Sequence, residues 1–382
     1  MFRPPLVFPF SVPRSSTLTS LPILFRYFSS PPPSSTSPNP ARTLKDSPNF
    51  TFEIGLSFAG KPRRRGEQIP RGISSGGEKG EWRERMINWT EGSSEFNGET
   101  SSGKVGEVRV KKDKKDAGED FFMIHERPAD QLTTLAVADG VGGWAESGVD
   151  PSVFSQALMY HAWKAAQGDV SAQPKDILQK AYDGVKVDAE VKAGSATACV
   201  LQLDGSDGKL TSANLGDSGY LVIRKNNEFL DVPGAQQHYF NCPRQLAKVP
   251  HRRGYETNIT DLPRDADLFE VQLEDGDVVI LFTDGLGDNV HNSEVLLLLA
   301  QAQIETPPPS PKFGVTASKK LSVAQKLADG LKTYGQVCMG STEKVSPFTL
   351  AAAKEGLNFR GGKTDDITVI AVRVKKNQQT SA

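Results

Sequence analysis

Residues 135–148 read LAVADGVGGWAESG, and they contain the feature around which we expect the fold to be arranged. The apolar, β-favouring run at Thr133–Val137 predicts a buried strand, which stops at Asp139, where glycines follow. A carboxylate at the end of a buried strand leaves water, so it requires a counter-charge, commonly a metal ion. For a single Asp-Gly pair, a β-turn capped by the Asp side chain is the alternative interpretation.

The same pattern of a strand followed by Asp-Gly recurs downstream, and this recurrence favours a metal site over a turn. Residues 278–284 read VVILFTD and are followed by GLGD. Two acidic pairs also stand beside β-favouring runs, Glu119 and Asp120 before FFMI, and Asp365 and Asp366 before ITVIAV. Because paired sheets bring strand ends together, we expect these distant carboxylates to converge. Carboxylate and carbonyl oxygens are ligands of Mg²⁺ or Mn²⁺ rather than of zinc.

The remaining periodicity predicts further strands and helices. Turns rich in Asp and Gly connect three strands in hairpin order, which favours antiparallel neighbours. The polar residues 226–270 are interpreted as a surface flap that holds the motif QQHYFN. The predicted strands are Val105–Val110, Asp120–Glu126, Ala196–Leu203, Lys209–Leu215, Tyr220–Arg224 and Ile367–Val374, and the predicted helices are Pro151–Gln167, Pro174–Lys192, Ser293–Ile304, Lys319–Tyr334 and Phe348–Lys354.

The N-terminal residues 1–45 have the composition of a transit peptide, with five basic residues and no acidic one. Prolines interrupt the apolar core that a secretory signal would need, and the sequence RYFS at residues 26–29 resembles a matrix-processing site. No run approaches the roughly 20 apolar residues of a membrane span. A chloroplast transit peptide is the alternative with the same composition, but the processing-site resemblance favours mitochondria, so we expect a mitochondrial protein, in the matrix, without a transmembrane segment.

A linker is predicted to follow the transit peptide. Residues 46–103 contain Pro/Ser and Gly-rich stretches and are interpreted as largely disordered, although residues 49–58 alternate like a strand. The basic run Lys61–Arg65 within this range is interpreted as a solvated tail. The character of the sequence changes at Lys104 from linker-like composition to predicted strands and helices. The catalytic domain is therefore predicted at 104–376, with a tail at 377–382.

Charge and cysteine content exclude several classes of protein. Setting aside the five basic residues of the N-terminal segment leaves 40 basic against 46 acidic residues, a net charge of −6, which argues against a nucleic-acid-binding surface. The three cysteines, Cys199, Cys242 and Cys338, are widely spaced and form no CxxC, as is typical of a reducing compartment. No P-loop or Rossmann fingerprint accompanies the acids.

Five ordered motifs carry a resemblance to a known family. The segments AVADGVGGW, SATACVLQL, ANLGDSGYLVIR, LFTDGLGDN and GGKTDDITVI have the order and approximate spacing of the metal-dependent type 2C protein Ser/Thr phosphatases, over residues 104–374. DGVGGWAESGVDPSVFS and QQHYFN resemble the mitochondrial subgroup of that family. The resemblance implies an α+β fold of two antiparallel β-sheets packed face to face, flanked by helices on both outer faces.

The resemblance also implies the reaction: a water activated by two Mn²⁺ or Mg²⁺ ions hydrolyses phosphoserine or phosphothreonine directly. Asp139 resembles the carboxylate that bridges both ions, and the Gly140 carbonyl resembles a ligand of one. Asp284 and Asp365 resemble ligands of the other ion. Glu119 resembles a ligand that acts partly through water.

The remaining implied positions include two departures from the family pattern. Asp120 resembles the residue that orients the water, and Asp217 and Asp288 stand where some members hold a weaker third ion. Lys115 stands where many members bind the substrate phosphate with Arg, and a lysine is a point charge without bidentate geometry. Val141 stands where many members have a His that acts as general acid, which leaves His238 as a candidate.

Two other functions stay open from the sequence. A binding pseudophosphatase would keep the fold as a scaffold, but it would be marked by the loss of carboxylates that are all present here. A hydrolase of a small phosphate ester would share the same metal centre. We expect phosphorylated mitochondrial proteins as substrates and partners, no nucleic-acid partner, and a monomer.

Overall fold

Two antiparallel β-sheets form the centre of the computed structural model, which describes residues 48–61, 117–230, 232, 234–250, 258–304 and 321–377. The strands are β1 (Phe50–Ala59), β2 (Asp120–Arg127), β3 (Leu132–Asp139), β4 (Gly194–Ala196), β5 (Ala198–Asp204), β6 (Lys209–Leu215), β7 (Gly219–Ile223), β8 (Gln237–Tyr239), β9 (Cys242–Pro243), β10 (Leu246–Lys248), β11 (Asp267–Gln272), β12 (Val278–Phe282) and β13 (Ile367–Lys376). One sheet has the order β11-β6-β5-β3-β2 and the other the order β1-β13-β12-β7. Two short ribbons, β10-β4 and β8-β9, accompany them.

Helices cover the outer face of each sheet. The helices are α1 (Pro151–Gly168), α2 (Pro174–Val187), α3 (Asp284–Gly287), α4 (Asn292–Gln303), α5 (Val323–Met339) and α6 (Pro347–Lys354). Helices α1 and α2 pack on the five-stranded sheet, whereas α5 packs on β1 and β13 with α4 beside it. No helix in the described part of the chain has both the length and the apolarity needed to cross a membrane.

Alternation along the strands divides the apolar residues between two cores. In β12, Val279 and Leu281 belong to the main core, which contains residues of both sheets, while Val278 and Ile280 belong to a second core beneath α4 and α5. This is the arrangement that side chains of period two produce when both faces of a strand are covered. The predicted fold class, two antiparallel sheets packed face to face with helices on both outer faces, is therefore confirmed.

Strand β1 lies within the range interpreted from sequence as a largely disordered linker. It pairs antiparallel with β13 over its whole length, from Phe50 opposite Lys376 to Ala59 opposite Ile367. The boundary placed before Lys104 leaves this strand outside the domain, whereas in the structure it is an integral edge strand of the four-stranded sheet. The strand predicted at Val105–Val110 lies outside the described residues.

The other differences from the predicted elements concern the ends of two helices and the strands within the flap. Helix α2 stops at Val187 rather than Lys192, and α5 runs to Met339 rather than Tyr334. The flap contains the short strands β8, β9 and β10, and its range also includes the start of β11, which pairs with β6 at the sheet edge. The residues of β11 are mostly exposed, and the alternation is limited to two partly buried residues, Phe269 and Val271, so the sequence carries only a short signal for this strand.

Candidate metal centre

The acidic residues meet at one end of the two sheets. In the five-stranded sheet, the pairing of β2 with β3 places Asp120 directly opposite Asp139. In the other sheet, Asp284 begins helix α3 directly after β12, and Asp365 and Asp366 directly precede β13. The structure therefore brings together acidic residues that are far apart in sequence.

Asp120 connects the two sheets through its side chain. It is 1% exposed, and its Oδ2 accepts hydrogen bonds from the hydroxyls of Thr283 (2.7 Å) and Thr368 (2.9 Å) of the opposite sheet. Its Oδ1 has no hydrogen-bond partner among the described residues. Burial and the charge of Asp366 raise the pKa of Asp120 well above its ordinary value. Among the described residues, Oδ2 of Asp120 is thus held by two hydrogen bonds, whereas Oδ1 accepts none.

Both carboxylate oxygens of Asp366 accept hydrogen bonds from backbone N–H groups. Its Oδ2 accepts the backbone N–H of Glu119 at 3.0 Å, and its Oδ1 accepts that of Lys61 at 2.7 Å. The Lys61 ammonium then donates to Glu119 Oε2 at 2.7 Å and to Asp365 Oδ1 at 3.4 Å. Lys61 lies just after the end of β1, so the position of this strand places the Lys61 ammonium at the acidic cluster.

A second ammonium group lies on the other side of Asp365. The Lys363 Nζ is 2.5 Å from Asp284 Oδ2, 2.7 Å from Asp288 Oδ2 and 3.5 Å from Asp365 Oδ2. Burial alone would lower the pKa of Lys363, but the charges of Asp284 and Asp288 raise it above its ordinary value. Lys363 is therefore a charged partner of these three carboxylates.

Asp139 and Asp217 extend the negative cluster. Burial, followed by the charges of Asp284 and Asp120, raises the pKa of Asp139 well above its ordinary value. Burial and Asp284 likewise raise the pKa of Asp217 to about 7. Asp217 Oδ2 accepts a hydrogen bond from Gln237 Nε2 at 3.2 Å, which connects the flap strand β8 to the cluster.

Gly140 must be a glycine at this position because its backbone lies against two carbonyl groups. A Cβ here would lie 2.6 Å from the Pro151 oxygen and 2.7 Å from the Glu119 oxygen, closer than real Cβ atoms approach. The Gly140 N–H donates to that Glu119 oxygen at 3.0 Å. The position directly after Asp139 is therefore held tightly between β2 and helix α1.

The chemistry of the cluster fits divalent cations. The Oδ1 atoms of Asp120, Asp217 and Asp284 are buried without a hydrogen-bond partner in the described chain, and buried anionic oxygens of this kind require a positive ligand. The donors are carboxylate oxygens, as Mg²⁺ and Mn²⁺ prefer. Among the described residues, no three carboxylate, His or Cys side chains are spaced to hold one ion as they stand. Instead, the ammonium groups of Lys61 and Lys363 lie between the carboxylates.

Two residues singled out from the sequence, His238 and Val141, are not brought to the cluster as side-chain participants. Lys115 lies outside the described residues. His238 donates to or accepts from Asp261 at 2.9 Å, and alternation along β8 directs it away from the face on which Gln237 reaches Asp217. Val141 contributes its backbone N–H to the Ser195 carbonyl at 3.0 Å.

Four contributors were missed by sequence reasoning. Thr283 and Thr368 sit inside β-favouring runs, where a threonine gives no separate signal. Lys363 stands in the quoted motif GGKTDD, and its place two residues before Asp365 was the available clue. Lys61 was interpreted as part of a solvated tail, but its side chain is only 34% exposed and contacts three acids.

Known proteins share both the sequence pattern and the fold. A model of the family described as protein phosphatase 2C matches residues 111–322. The protein phosphatase PTC7 homolog fig of Drosophila grimshawi is 38% identical over 69% of this chain and 81% of its own length. The PTC7 homolog of Danio rerio is 37% identical over 65% of this chain and 78% of its own length. The X-ray structure of the photosystem II phosphatase PBCP is 25% identical, with a TM-score of 0.56, and the match covers 86% of this chain and all of that one.

Proposed function

The chain belongs to the protein phosphatase 2C family and is a metal-dependent protein serine/threonine phosphatase, and on this premise we propose which of its residues perform the reaction. The observation that supports the assignment is the convergence of carboxylates from both sheets, three of which have a buried oxygen without a hydrogen-bond partner among the described residues. When bound, two Mn²⁺ or Mg²⁺ ions would acidify a water and neutralise phosphoryl oxygens. All the carboxylates are present, so a scaffold without activity is not favoured.

The acidic residues divide into holding and orienting roles. Asp139, the Gly140 carbonyl, Asp284, Asp365 and Glu119 would hold the two ions. Asp120 is positioned by the hydroxyls of the opposite sheet, and its free Oδ1 would accept a hydrogen bond from the attacking water and so orient it. Two further carboxylates would hold a weaker third ion, namely Asp217 and Asp288.

Lys61 is a second candidate, beside the predicted Lys115, for the group that would hold the substrate phosphate. Its backbone N–H is fixed on Asp366, while its ammonium is partly exposed at the rim of the cluster. When cations neutralise Glu119 and Asp365, that ammonium loses two of its three carboxylate partners, keeps Asp366 at 3.4 Å, and would have charge available for a phosphate. Lys115 itself stays a prediction.

The cellular setting is proposed from the N-terminal composition together with the PTC7 relatives. Residues 1–45 would direct the chain to the mitochondrial matrix, where phosphorylated matrix proteins would be its substrates, and the enzyme would act as a monomer. The domain would begin at β1, near residue 48, because that strand completes a sheet. A fluorescent protein carrying residues 1–45 should accumulate in mitochondria, and a diffuse cytosolic signal would contradict the targeting role.

The reaction is tested with the full chain and a phosphothreonine peptide, with Mn²⁺ or with a chelator. We expect phosphate release that requires Mn²⁺ and falls at least about 100-fold in Asp139→Asn, because one of the carboxylates that would hold the ions is lost. Asp183→Asn, on the exposed surface of α2, is the matched control and should leave the rate unchanged. Release that persists in the Asp139 variant would contradict the assignment.

The role of Lys61 has a separate kinetic signature. Lys61→Gln should raise KM for the phosphopeptide by about tenfold, as expected for the loss of one charge-assisted contact to phosphate. An unchanged KM would return the phosphate-binding role to Lys115 or to another group.

A further inference from the structure

Lys363 lies where proposed metal ligands converge. Its ammonium contacts Asp284, Asp288 and Asp365 within 3.5 Å, and its side chain is 16% exposed. Charge-assisted hydrogen bonds to carboxylates are among the stronger polar contacts in proteins. The position that an ion would need is therefore taken by a cation that belongs to the chain itself.

The backbone of Lys363 is fixed independently of its ammonium group. Its N–H donates to Asn289 Oδ1 at 2.9 Å, and its carbonyl accepts from Asn289 Nδ2 at 2.8 Å, with Asn289 fully buried. The ammonium also lies 5.2 Å from the centre of the Phe348 ring, a face that attracts cations. The backbone bonds of Lys363 therefore do not depend on the contacts of its ammonium with the carboxylates, and the Phe348 ring offers that ammonium a second partner.

Lys61 gives the cluster a second resident cation on the opposite side of Asp365. Its ammonium is 2.7 Å from Glu119 and 3.4 Å from Asp365. Carboxylates this close repel one another when they are charged and unpaired. The two ammonium groups thus supply the positive charge that keeps the cluster together without a metal.

We propose that Lys363 is a built-in counter-cation that divalent ions displace when they bind to Asp284 and Asp365 and, at the weaker third position, to Asp288. The inference rests on the metal centre of the proposed function. Since binding must separate an ion pair, Lys363 lowers the affinity for the ion at this position. In return, it stabilises the metal-free protein.

The experiment compares full-length Lys363→Gln with full-length Lys344→Gln. Lys344 is a matched control, because it is also 16% exposed, is paired with a carboxylate (Glu294) and lies 5.3 Å from an aromatic ring. Mn²⁺ affinity is measured by calorimetry without substrate, and the melting temperature is measured with chelator and with Mn²⁺. For Lys363→Gln we expect a dissociation constant about tenfold lower than that of the natural chain, a lower melting temperature in chelator and a larger rise on adding Mn²⁺. Lys344→Gln should keep the natural affinity.

Unchanged or weaker Mn²⁺ binding by Lys363→Gln would overturn the proposal. If that variant fails to fold in chelator, folding it with Mn²⁺ and titrating the ion out still reports the affinity, and Lys363→Arg, which keeps the charge, should bind as weakly as the natural chain. An Arg variant that binds as tightly as the Gln variant would likewise overturn it. Because neither readout involves substrate, a chain that binds Mn²⁺ as expected but releases no phosphate would refute the phosphatase assignment and leave the displacement intact.

Discussion

Removal of strand β1 should unfold the domain, although this strand lies outside the region that matches the family model. The perturbation is a pair of truncations, one that lacks residues 1–47 and one that lacks residues 1–61. They differ by the 14 residues that contain β1 and Lys61. In the structure β1 supplies the only neighbour of β13 on that side among the described strands.

The magnitude follows from the side chains that β1 buries. Phe50, Ile54, Leu56 and Phe58 all lie in the main core and are less than 9% exposed. Burial of one such side chain contributes about 1.5–3 kcal/mol, so the four contribute roughly 6–12 kcal/mol. A domain is stable by only about 5–15 kcal/mol in total. The shorter chain therefore loses most or all of its free energy of unfolding.

Urea unfolding followed by tryptophan fluorescence and circular dichroism measures this loss. The chain that begins at residue 48 should show a cooperative transition, whereas the chain that begins at residue 62 should show none or a transition at much lower urea. Equal free energies of unfolding for the two truncations would refute the assignment of β1 to the domain.

Three further predictions concern packing and charge. Phe122→Ala should lower the free energy of unfolding by about 3–5 kcal/mol in urea melts, because Phe122 is a buried core ring. Gly55→Ala should cost about 1–3 kcal/mol in the same assay, since the added Cβ would lie 2.4 Å from the backbone of Ala324 in α5. Burial raises the pKa of Glu294, but hydrogen bonds from Lys344 and a tyrosine hydroxyl lower it on balance from 4.5 to about 2. Glu294→Gln should therefore be less stable than the natural chain at pH 7, and urea melts should show the difference shrinking as the pH falls below about 4.5.

The sequence was sufficient for features whose signal is local. A strand that ends on Asp-Gly is visible within ten residues, so the positions of Asp139 and Asp284 could be predicted together with the strands before them. Their convergence followed from the general geometry of paired sheets. The fold class followed from the order of hairpins and helices and from the family resemblance.

The features that the sequence did not reveal depend on distant partners. Strand β1 pairs with a strand more than 300 residues later, and only that pairing shows that Lys61 points to the cluster and not into solvent. Strand β11 is an edge strand in which two partly buried residues, Phe269 and Val271, alternate with exposed ones, and so short a pattern does not mark a strand. Lys363 stood in a quoted motif, but the direction of a lysine side chain is decided by the acids around it, which come from other elements.

The way in which the cluster is held together explains why we propose a metal site here and not only a buried network. The carboxylates on its outer side are balanced within the chain, by Lys61 at Glu119 and by Lys363 at Asp284 and Asp288. Asp120 is balanced on one oxygen only, through the threonine hydroxyls of the opposite sheet. A network built only for stability would satisfy the remaining buried oxygens as well, because each one left unpaired costs free energy. The cluster keeps these unpaired oxygens where the two sheets meet. An ion held there would contact carboxylates of both sheets, so it would stabilise the fold at the same point at which it would activate water.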